Sequence, residues 1–427
     1  MCELEVTINT VSDVQREAEF LMTHEELEPH FERAYKKYAP KVELKGFRKG
    51  KVPMEMIKRL YGEAIEQDAL DDIANESFRS AMIERNVEPL GRPSLTDMDF
   101  KRGEHFKFTI KYEVKPTVEL KKYKGLEVEK PVHTVTDAEV DAEIERLRRI
   151  NAAMLGVTLV RDEGDHVITA DVQELADDGM PLVGKKTKDA RFSLSDETLV
   201  REIKDALAKA EVGAEYRVRF EQQHSDHTHT HFIAISVKKI EKVELPDFDD
   251  AFVKKVTQEQ IATKDEFLAN VRTDIQAYWA EQSERRVADT IVDEIVKAHE
   301  VVVPESLIEL YLDSFIEDMK GRSRDGKLPQ GFDERKFRNE NRQYATYQAK
   351  WGLLREAIIE QEKLAATDEE IEHYAADEAV RLGIEKEQVV NYFKSSNVGA
   401  ERVVGQKLMK LLRDNAKITE RVIEETR

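Results

Sequence analysis

The sequence predicts a multidomain α+β protein: an α+β N-terminal domain, a small antiparallel β domain and a mainly α-helical C-terminal domain. The chain has 427 residues, which is more than one hydrophobic core usually serves. The two-residue period of strands occurs in the first 115 residues and again between residues 163 and 242, whereas almost everything beyond residue 246 has the period of a helix. Charged residues make up 36% of the chain, which suits a helix-rich protein with much exposed surface.

The charge balance and the single cysteine narrow the class of protein. The formal net charge of −20 argues against a protein that coats nucleic acid non-specifically, because such binding needs a basic surface. One cysteine, Cys2, allows no internal disulfide and no cysteine-based metal site, as in a reducing compartment. No apolar run approaches the ~20 residues of a membrane-spanning helix, and the first residues lack the order of a signal peptide. We expect a cytoplasmic protein without a membrane partner.

The first 114 residues carry signals for both strands and helices. Residues 3–8 alternate between polar and apolar, as in a half-buried strand, and residues 106–112 do so again. Between them, apolar residues recur at helical spacing from Leu27 to Tyr38. Pro53 stands where a helix can begin, since its missing N–H group costs nothing in the first turn. The apolar residues after it predict one long helix or two consecutive helices.

A linker and a helix should follow. Pro116 and Pro131 bias the residues before them away from helix, so residues 115–131 are predicted to be extended. Thr136 and Glu139 have the spacing of a capping box, which predicts a helix from there to Ile150.

The rest of the chain divides into a β-rich part and a helical part. Strands are predicted at residues 166–174, 190–194, 215–220 and 231–240, with a short helix at 198–210. In the helical part, Pro304 should open a helix, and three glycines and a proline should make residues 321–331 a loop. The predicted domains are residues 1–114, 115–150, 151–243 and 244–427.

A basic loop precedes Pro53. Residues 45–53 hold four cations and no acid, although the whole chain is acidic. Two glycines allow positive φ or close approach of a partner, and Phe47 can bury itself against a partner or back onto the domain. Docking on RNA phosphates and an acidic protein patch is one interpretation. A solvated surface loop is the other, because most charge runs are solvated.

The motif GFRKGKVP at residues 46–53 resembles the ribosome-binding signature of the trigger factor family. The similarity continues on both sides. Tyr61 and Gly62 follow as in the family, and residues 114–131 resemble its linker. The stretches ELP at 244–246 and FVK at 252–254 resemble the entry to its C-terminal helical domain, and Val303-Pro304 before an amphipathic helix matches as well. The resemblance covers nearly the whole chain and is weakest between residues 163 and 242.

The resemblance implies a chaperone that docks beside the ribosomal exit tunnel, on a large-subunit protein and on ribosomal RNA. The domains at residues 1–114 and 244–427 would then be the ribosome-binding domain and the chaperone domain. Nascent and unfolded polypeptides are the other expected partners, no cofactor is expected, and a homodimer away from the ribosome is left open. Phe47, Arg48 and Lys49 would be the chief contacts. The expected ribosome-binding residues are Gly46, Phe47, Arg48, Lys49, Gly50 and Lys51.

In the family, the middle position is held by a prolyl isomerase domain of the FKBP type, whose aromatic walls hold the prolyl ring. Here Asp171 stands in the place of the pocket aspartate, but Val172 and Gln173 follow it where the family has a neighbouring phenylalanine. Phe192 and Phe220 remain, and packing in the core explains them more simply. Because lost pocket contacts remove binding of the transition state, we expect a degenerate FKBP-like domain with a structural or client-contacting role. An active prolyl isomerase is the alternative.

Two further groups of residues invite a functional interpretation. His224, His227, His229 and His231 lie within eight residues and could bind zinc or nickel, but an exposed hairpin tip has the same composition. We therefore predict no metal site. In the helical domain, large adaptable side chains are candidates for client contact, although each could simply face the core. These candidates are Phe315, Met319, Tyr347, Trp351 and Met409. A helical scaffold unrelated to translation is a further alternative.

Overall fold

The computed structural model describes residues 5–45, 47–161, 165–223 and 228–423. The chain forms two compact units. The first contains the chain up to Glu129 together with Arg286–Thr419, and the second contains Lys130–Arg285 and the chain from Glu420. Helices and antiparallel sheets build both units, which confirms the predicted multidomain α+β class.

The first unit begins with a four-stranded antiparallel sheet whose strand order is β1-β2-β4-β3. Two helices pack on one face of this sheet, and fully buried Phe20, Phe106 and Phe108 lie in the core between them. The elements are β1 (Glu5–Thr10), β2 (Gln15–Thr23), α1 (His24–Tyr38), a 3-10 turn (Ala39–Lys41), α2 (Met54–Glu84), β3 (Leu90–Lys101) and β4 (His105–Glu113).

The helix starts in this region follow local chemistry. Thr23 and Glu26 form a reciprocal capping box at the start of α1. Pro53 is the N-cap of α2, as predicted, and a single helix of 31 residues follows it. Strands β2 and β3 were not predicted. In β2, only Ala18, Phe20 and Met22 are buried in the core. Strand β3 is exposed along most of its length, so the sequence of β3 has little alternation between polar and apolar residues.

The second unit contains a five-stranded antiparallel sheet. Strand β10 pairs with β7 on one side and with β6 and β9 on the other, and β8 extends the sheet beyond β7. Buried Ile168, Leu207 and Ile235 fill its core. The elements are β5 (Glu127–His133), α3 (Asp137–Ile150), β6 (Ala153–Val157), β7 (His166–Leu175), β8 (Pro181–Ser193), α4 (Arg201–Leu207), β9 (Glu215–Gln223), β10 (Thr228–Glu244) and α5 (Asp250–Val256).

Helix α3 begins at the predicted capping box. Thr136 and Glu139 bond each other's backbone N–H groups, and the helix ends at Ile150. Its apolar face, which includes Val140 and Ile144, packs in one cluster with Val253 of α5 and Val271 further along the chain. Strand β6 was not predicted, because four of its five residues are exposed and the sequence carries no period-two pattern.

The remaining elements are helical apart from one short strand. They are α6 (Lys264–Ala298), α7 (Glu305–Arg322), α8 (Glu334–Gln361), α9 (Asp368–Leu382), α10 (Lys386–Ser395), α11 (Val398–Asp414) and β11 (Lys417–Ile423). Pro304 is the N-cap of α7, as predicted, but α7 runs on to Arg322, so the predicted loop begins two residues later than expected. Strand β11 pairs with β5 and was not predicted.

The linker contributes to the core of the helical region. Tyr123 and Leu126 are buried in one cluster with Ile291, Leu354 and Leu408. This part of the chain is extended and contains no helix before β5 begins. In the described part of the chain, none of the helices is long and apolar enough to cross a membrane.

Candidate functional site

The basic loop, residues 45–53, connects the 3-10 turn to α2, and it is closed by backbone hydrogen bonds. The Gly50 N–H group donates to the Val42 carbonyl oxygen at 3.4 Å. Within the loop, the Phe47 N–H donates to Leu44 at 3.0 Å and the Lys51 N–H donates to Arg48 at 2.9 Å. Of the six residues expected to bind the ribosome, Gly46 lies outside the described part of the chain. The loop therefore has a defined shape around the five others.

The C-terminal end of the loop is fixed to the domain. Val52 is buried in the core beneath the sheet, directly before the N-cap of α2. Gly50 has a φ of +72°, and a side chain there would start 3.1 Å from the Pro40 carbonyl oxygen. Glycine suits this position because it accepts left-handed backbone without steric cost. The second glycine of the motif thus has a structural reason to be there.

The tip of the loop is exposed. The Phe47 side chain is 40% exposed, so it is not folded back into the core. Arg48, Lys49 and Lys51 are exposed as well. An aromatic ring therefore lies among three cations on the surface, which is an arrangement suited to an anionic partner that also offers apolar surface.

One cation of the loop has a partner that the sequence interpretation missed. The Lys49 Nζ atom lies 2.6 Å from Glu43 Oε1. The hydrogen bond from Lys49 lowers the pKa of Glu43. Glu43 lies just outside the residues that were counted as acid-free, and its position two residues before the loop was the signal that could have revealed the pair.

A partly buried polar network joins α1, α2 and the turn between β3 and β4. The Glu66 carboxylate of α2 accepts a short hydrogen bond from the Tyr35 hydroxyl and a hydrogen bond from Arg102 Nε at 2.7 Å. Burial, followed by the bond to Glu66, raises the pKa of Tyr35 to about 12. A β-carbon at Gly62 would lie 2.8 Å from the Arg102 guanidinium, so the glycine of the Tyr61-Gly62 pair leaves room for this network.

Asp171, the position matched to the isomerase pocket, is held by other residues of the same domain. Its Oδ1 atom lies 2.6 Å from Lys238 Nζ, and its Oδ2 atom lies 3.2 Å from Lys186 Nζ. The backbone N–H of Asp189 also donates to it at 3.1 Å. The hydrogen bond from Lys238, with these other contacts, holds the pKa of Asp171 well below its usual range despite burial. Both carboxylate oxygens therefore have partners within the domain.

The comparisons with known proteins agree with one another. The family model described as "Bacterial trigger factor protein (TF)" matches residues 4–147, and "Bacterial trigger factor protein (TF) C-terminus" matches residues 263–413. The trigger factor of Salinibacter ruber is 31% identical over 392 residues, which cover 88% of this chain and 85% of that protein. The trigger factor of Chloroherpeton thalassium is 30% identical over 422 residues and covers 97% of both.

This chain belongs to the trigger factor family. The family is one of ribosome-associated chaperones. A solved structure described as "Promiscuous Substrate Recognition in Folding and Assembly Activities of the Trigger Factor Chaperone" aligns with 96% of this chain and 99% of its own chain, at a TM-score of 0.50 and 18% identity. The similarity shows that the overall fold is shared.

The candidate client residues of this trigger factor family member lie on α7, α8 and α11. Phe315 of α7 and Tyr347 of α8 are half-buried, and both stack on Tyr344, at 5.5 and 6.4 Å between ring centroids. Tyr344 is 55% exposed. Tyr347, Trp351 and Met409 all lie half-buried against the core that contains Leu354. Met319 is half-buried near the end of α7.

The aromatic row on α7 and α8 also has a polar end. The Tyr347 hydroxyl donates a short hydrogen bond to Asp293. Burial and this bond raise the pKa of Tyr347 well above its usual range. The row Phe315–Tyr344–Tyr347 is therefore fixed at its inner end and accessible at Tyr344.

The histidine cluster lies mostly beyond the described residues. His224 and His227 are outside them, as is the side chain of His229. The ring of His231 stacks on Phe220, with centroids 5.1 Å apart. Phe220 and Phe192 both pack partly against the core of the β domain. Among the residues that the structure describes, no group of three histidine, cysteine, aspartate or glutamate side chains is arranged to hold a metal ion.

Proposed function

We propose that this protein is a cytosolic, ATP-independent chaperone that docks at the ribosomal exit tunnel through its basic loop and holds nascent polypeptides during early folding. The observation that carries the proposal is the exposed tip formed by Phe47, Arg48 and Lys49 on a loop whose base is fixed by buried Val52. Its membership of the trigger factor family supports the same function.

The chemistry of the tip fits a ribosomal surface. Arg48 can form paired hydrogen bonds with a carboxylate or a phosphate, whereas Lys49 and Lys51 act as point charges. Phe47 can make an apolar contact, which requires a partner that offers apolar surface as well as phosphate groups. Because the backbone of the loop is closed by hydrogen bonds, docking orders few additional residues and costs little conformational entropy.

The helical region supports the holding function. Half-buried and exposed aromatic side chains at Phe315, Tyr344 and Tyr347 lie among charged residues of α7 and α8. Dispersed apolar surface of this kind binds unfolded chains weakly and without aggregation of the chaperone. Bound clients are kept from misfolding by mass action, without a nucleotide. The division into residues 1–114, 115–150, 151–243 and 244–427 is proposed as the functional one.

Prolyl isomerisation by the middle domain is the second candidate function. The five-stranded antiparallel sheet and Asp171 at the pocket position favour it. The contacts of Asp171 with Lys186 and Lys238 oppose it, because both carboxylate oxygens already face cations of the same domain. We therefore expect a protease-coupled assay on a proline tetrapeptide to show little turnover. Turnover near that of an FKBP would establish the isomerase instead.

Cosedimentation with ribosomes tests the docking function. We expect the wild-type protein to pellet with ribosomes and the triple variant Phe47→Ala, Arg48→Ala, Lys49→Ala to remain in the supernatant. The matched control is a second triple variant, which combines Arg79→Ala, Ile83→Ala and Lys101→Ala. It also removes two cations and one exposed apolar side chain. This control should pellet like the wild type. Docking through the loop is wrong if the wild type stays in solution or if the loop variant pellets equally well.

A further inference from the structure

Glu43 forms an ion pair with one cation of the basic loop. Its carboxylate lies 2.6 Å from the Lys49 ammonium, and the two side chains are 67% and 64% exposed. Both ends of the pair are therefore within reach of an approaching partner. In the described part of the chain, Arg48 has no such carboxylate contact. Within the basic tip, one cation is already partly neutralised and its neighbour is not.

The backbone keeps Glu43 beside the loop. The carbonyl oxygen of Glu43 accepts a hydrogen bond from the Tyr61 hydroxyl of α2 at 3.5 Å. The residues on either side are bonded to the loop itself, since Val42 accepts from Gly50 and Leu44 accepts from Phe47. Glu43 therefore stays close to Lys49 even when the side chains separate.

This position has a consequence for any anion that binds Lys49. The anion either displaces the Glu43 carboxylate or shares the ammonium with it, and in both cases it lies within a few ångströms of that negative charge. Exposed ion pairs are weak, and salt screens the repulsion. We therefore expect the penalty on docking to be small and to fall as the salt concentration rises.

We propose that Glu43 limits the affinity of the basic loop by competing with a phosphate of ribosomal RNA for Lys49. Phosphate is the assigned acceptor because four cations lie within residues 45–53, which suits the densely charged backbone of RNA, and a lysine ammonium binds phosphate as a point charge. The inference rests on the proposed ribosome docking and adds a residue that keeps docking reversible.

Binding of fluorescently labelled protein to vacant ribosomes tests the inference. At low salt we expect Glu43→Gln to bind roughly two- to tenfold more tightly than the wild type, and the gain should shrink as KCl rises. Glu84→Gln is the matched control, because it makes the same charge change on an exposed residue at the far end of the 31-residue α2. It should bind like the wild type. Thermal melts followed by circular dichroism check that all variants fold.

The Glu43→Gln change is also made in a Lys49→Ala background, to separate competition for Lys49 from a general effect of the negative charge of Glu43 on binding. There, Glu43→Gln should give little or no gain, since the contested cation is absent. The inference is overturned if Glu43→Gln raises the affinity for ribosomes as much without Lys49 as with it. It is also overturned if the single variant Glu43→Gln binds no more tightly than the wild type. A plot of log affinity against log salt concentration has a negative slope, and Lys49→Ala should make this slope shallower by roughly 1. An unchanged slope overturns the phosphate assignment. If the wild type does not bind ribosomes at all, the proposed function fails with it.

Discussion

The carboxylate of Glu113, at the end of β4, caps the first turn of α7 through Ser306. Its Oε2 atom accepts hydrogen bonds from the Ser306 N–H at 2.8 Å and from the Ser306 hydroxyl at 2.6 Å, and Oε1 accepts from the Glu305 N–H at 3.2 Å. The N-cap residue, Pro304, has no side chain that could cap these groups. A residue 193 positions earlier in the chain therefore satisfies the start of the helix.

Removal of this cap should expose the first turn of α7. We expect Glu113→Ala to destabilise that turn by about 1–2 kcal/mol, because a charge-assisted cap is lost. Hydrogen–deuterium exchange of a peptide covering residues 303–308 should then be roughly tenfold faster. Glu119→Ala, at an exposed linker position, is the control and should leave this exchange unchanged. Equal protection in Glu113→Ala and wild type would show that the cap contributes nothing.

Gly91 lies against the same serine, and its replacement should be more costly than that of an unobstructed glycine. Gly91 has a φ of +63°, and a β-carbon there would lie 2.4 Å from Ser306 Cβ. Gly103 has a similar φ of +79° with open space around it. We expect Gly103→Ala to cost about 1 kcal/mol from backbone strain alone.

Gly91→Ala should cost a further 1–3 kcal/mol, roughly, because the contact with Ser306 forces a shift of packed backbone. Urea unfolding of the two variants measures the difference directly. Equal losses of stability would mean that the close contact between Gly91 and Ser306 is relieved without cost.

Glu139 should make the start of α3 sensitive to acid. Burial of its carboxyl favours the neutral form, but hydrogen bonds from Thr136 and from His133 outweigh burial and lower the pKa of Glu139 from 4.5 to about 2. A carboxyl whose pKa is lower in the folded than in the unfolded state stabilises the fold fully at pH values above its unfolded-state pKa. This contribution is lost as the pH falls towards the folded-state pKa. The loss should therefore occur between pH 4.5 and about 2.

Fluorescence of Trp279 can report this loss, because its ring packs against His133 with centroids 4.4 Å apart. The protein has two tryptophans, so the Trp351→Phe background isolates the signal. Glu139→Gln keeps the cap but does not titrate. When the pH falls from 6 to 3, we expect the free energy of unfolding to decrease by about 1–2 kcal/mol more in the protein with Glu139 than in the Glu139→Gln variant. The same pH dependence in both proteins would rule out Glu139 as the group responsible.

Local signals in the sequence predicted those features that depend on neighbouring residues. The capping box of Thr136 and Glu139, the helix starts at Pro53 and Pro304, and the alternation in β4 all have their cause within a few residues. Strands β3, β6 and β11 escaped prediction because they are mostly exposed, so burial imposes no alternation on their sequences.

The polar contacts that shape the candidate site could not be predicted in this way. Tyr35, Glu66 and Arg102 meet only after α1, α2 and the β3–β4 turn have packed together. The engagement of Asp171 by Lys238 likewise needs the register of β7 and β10. The basic loop was evident from its residues, whereas its closed backbone and its pairing with Glu43 required the fold.

Site-specific photo-crosslinking tests the central claim most directly. A photoreactive amino acid placed at Arg48, in the basic loop, is compared with the same group at Ile83, which is 69% exposed near the far end of α2. After irradiation with ribosomes, we expect crosslinks to large-subunit components from position 48 and none from position 83. Absence of crosslinks from position 48, or equal yields from both positions, would contradict docking through the basic loop.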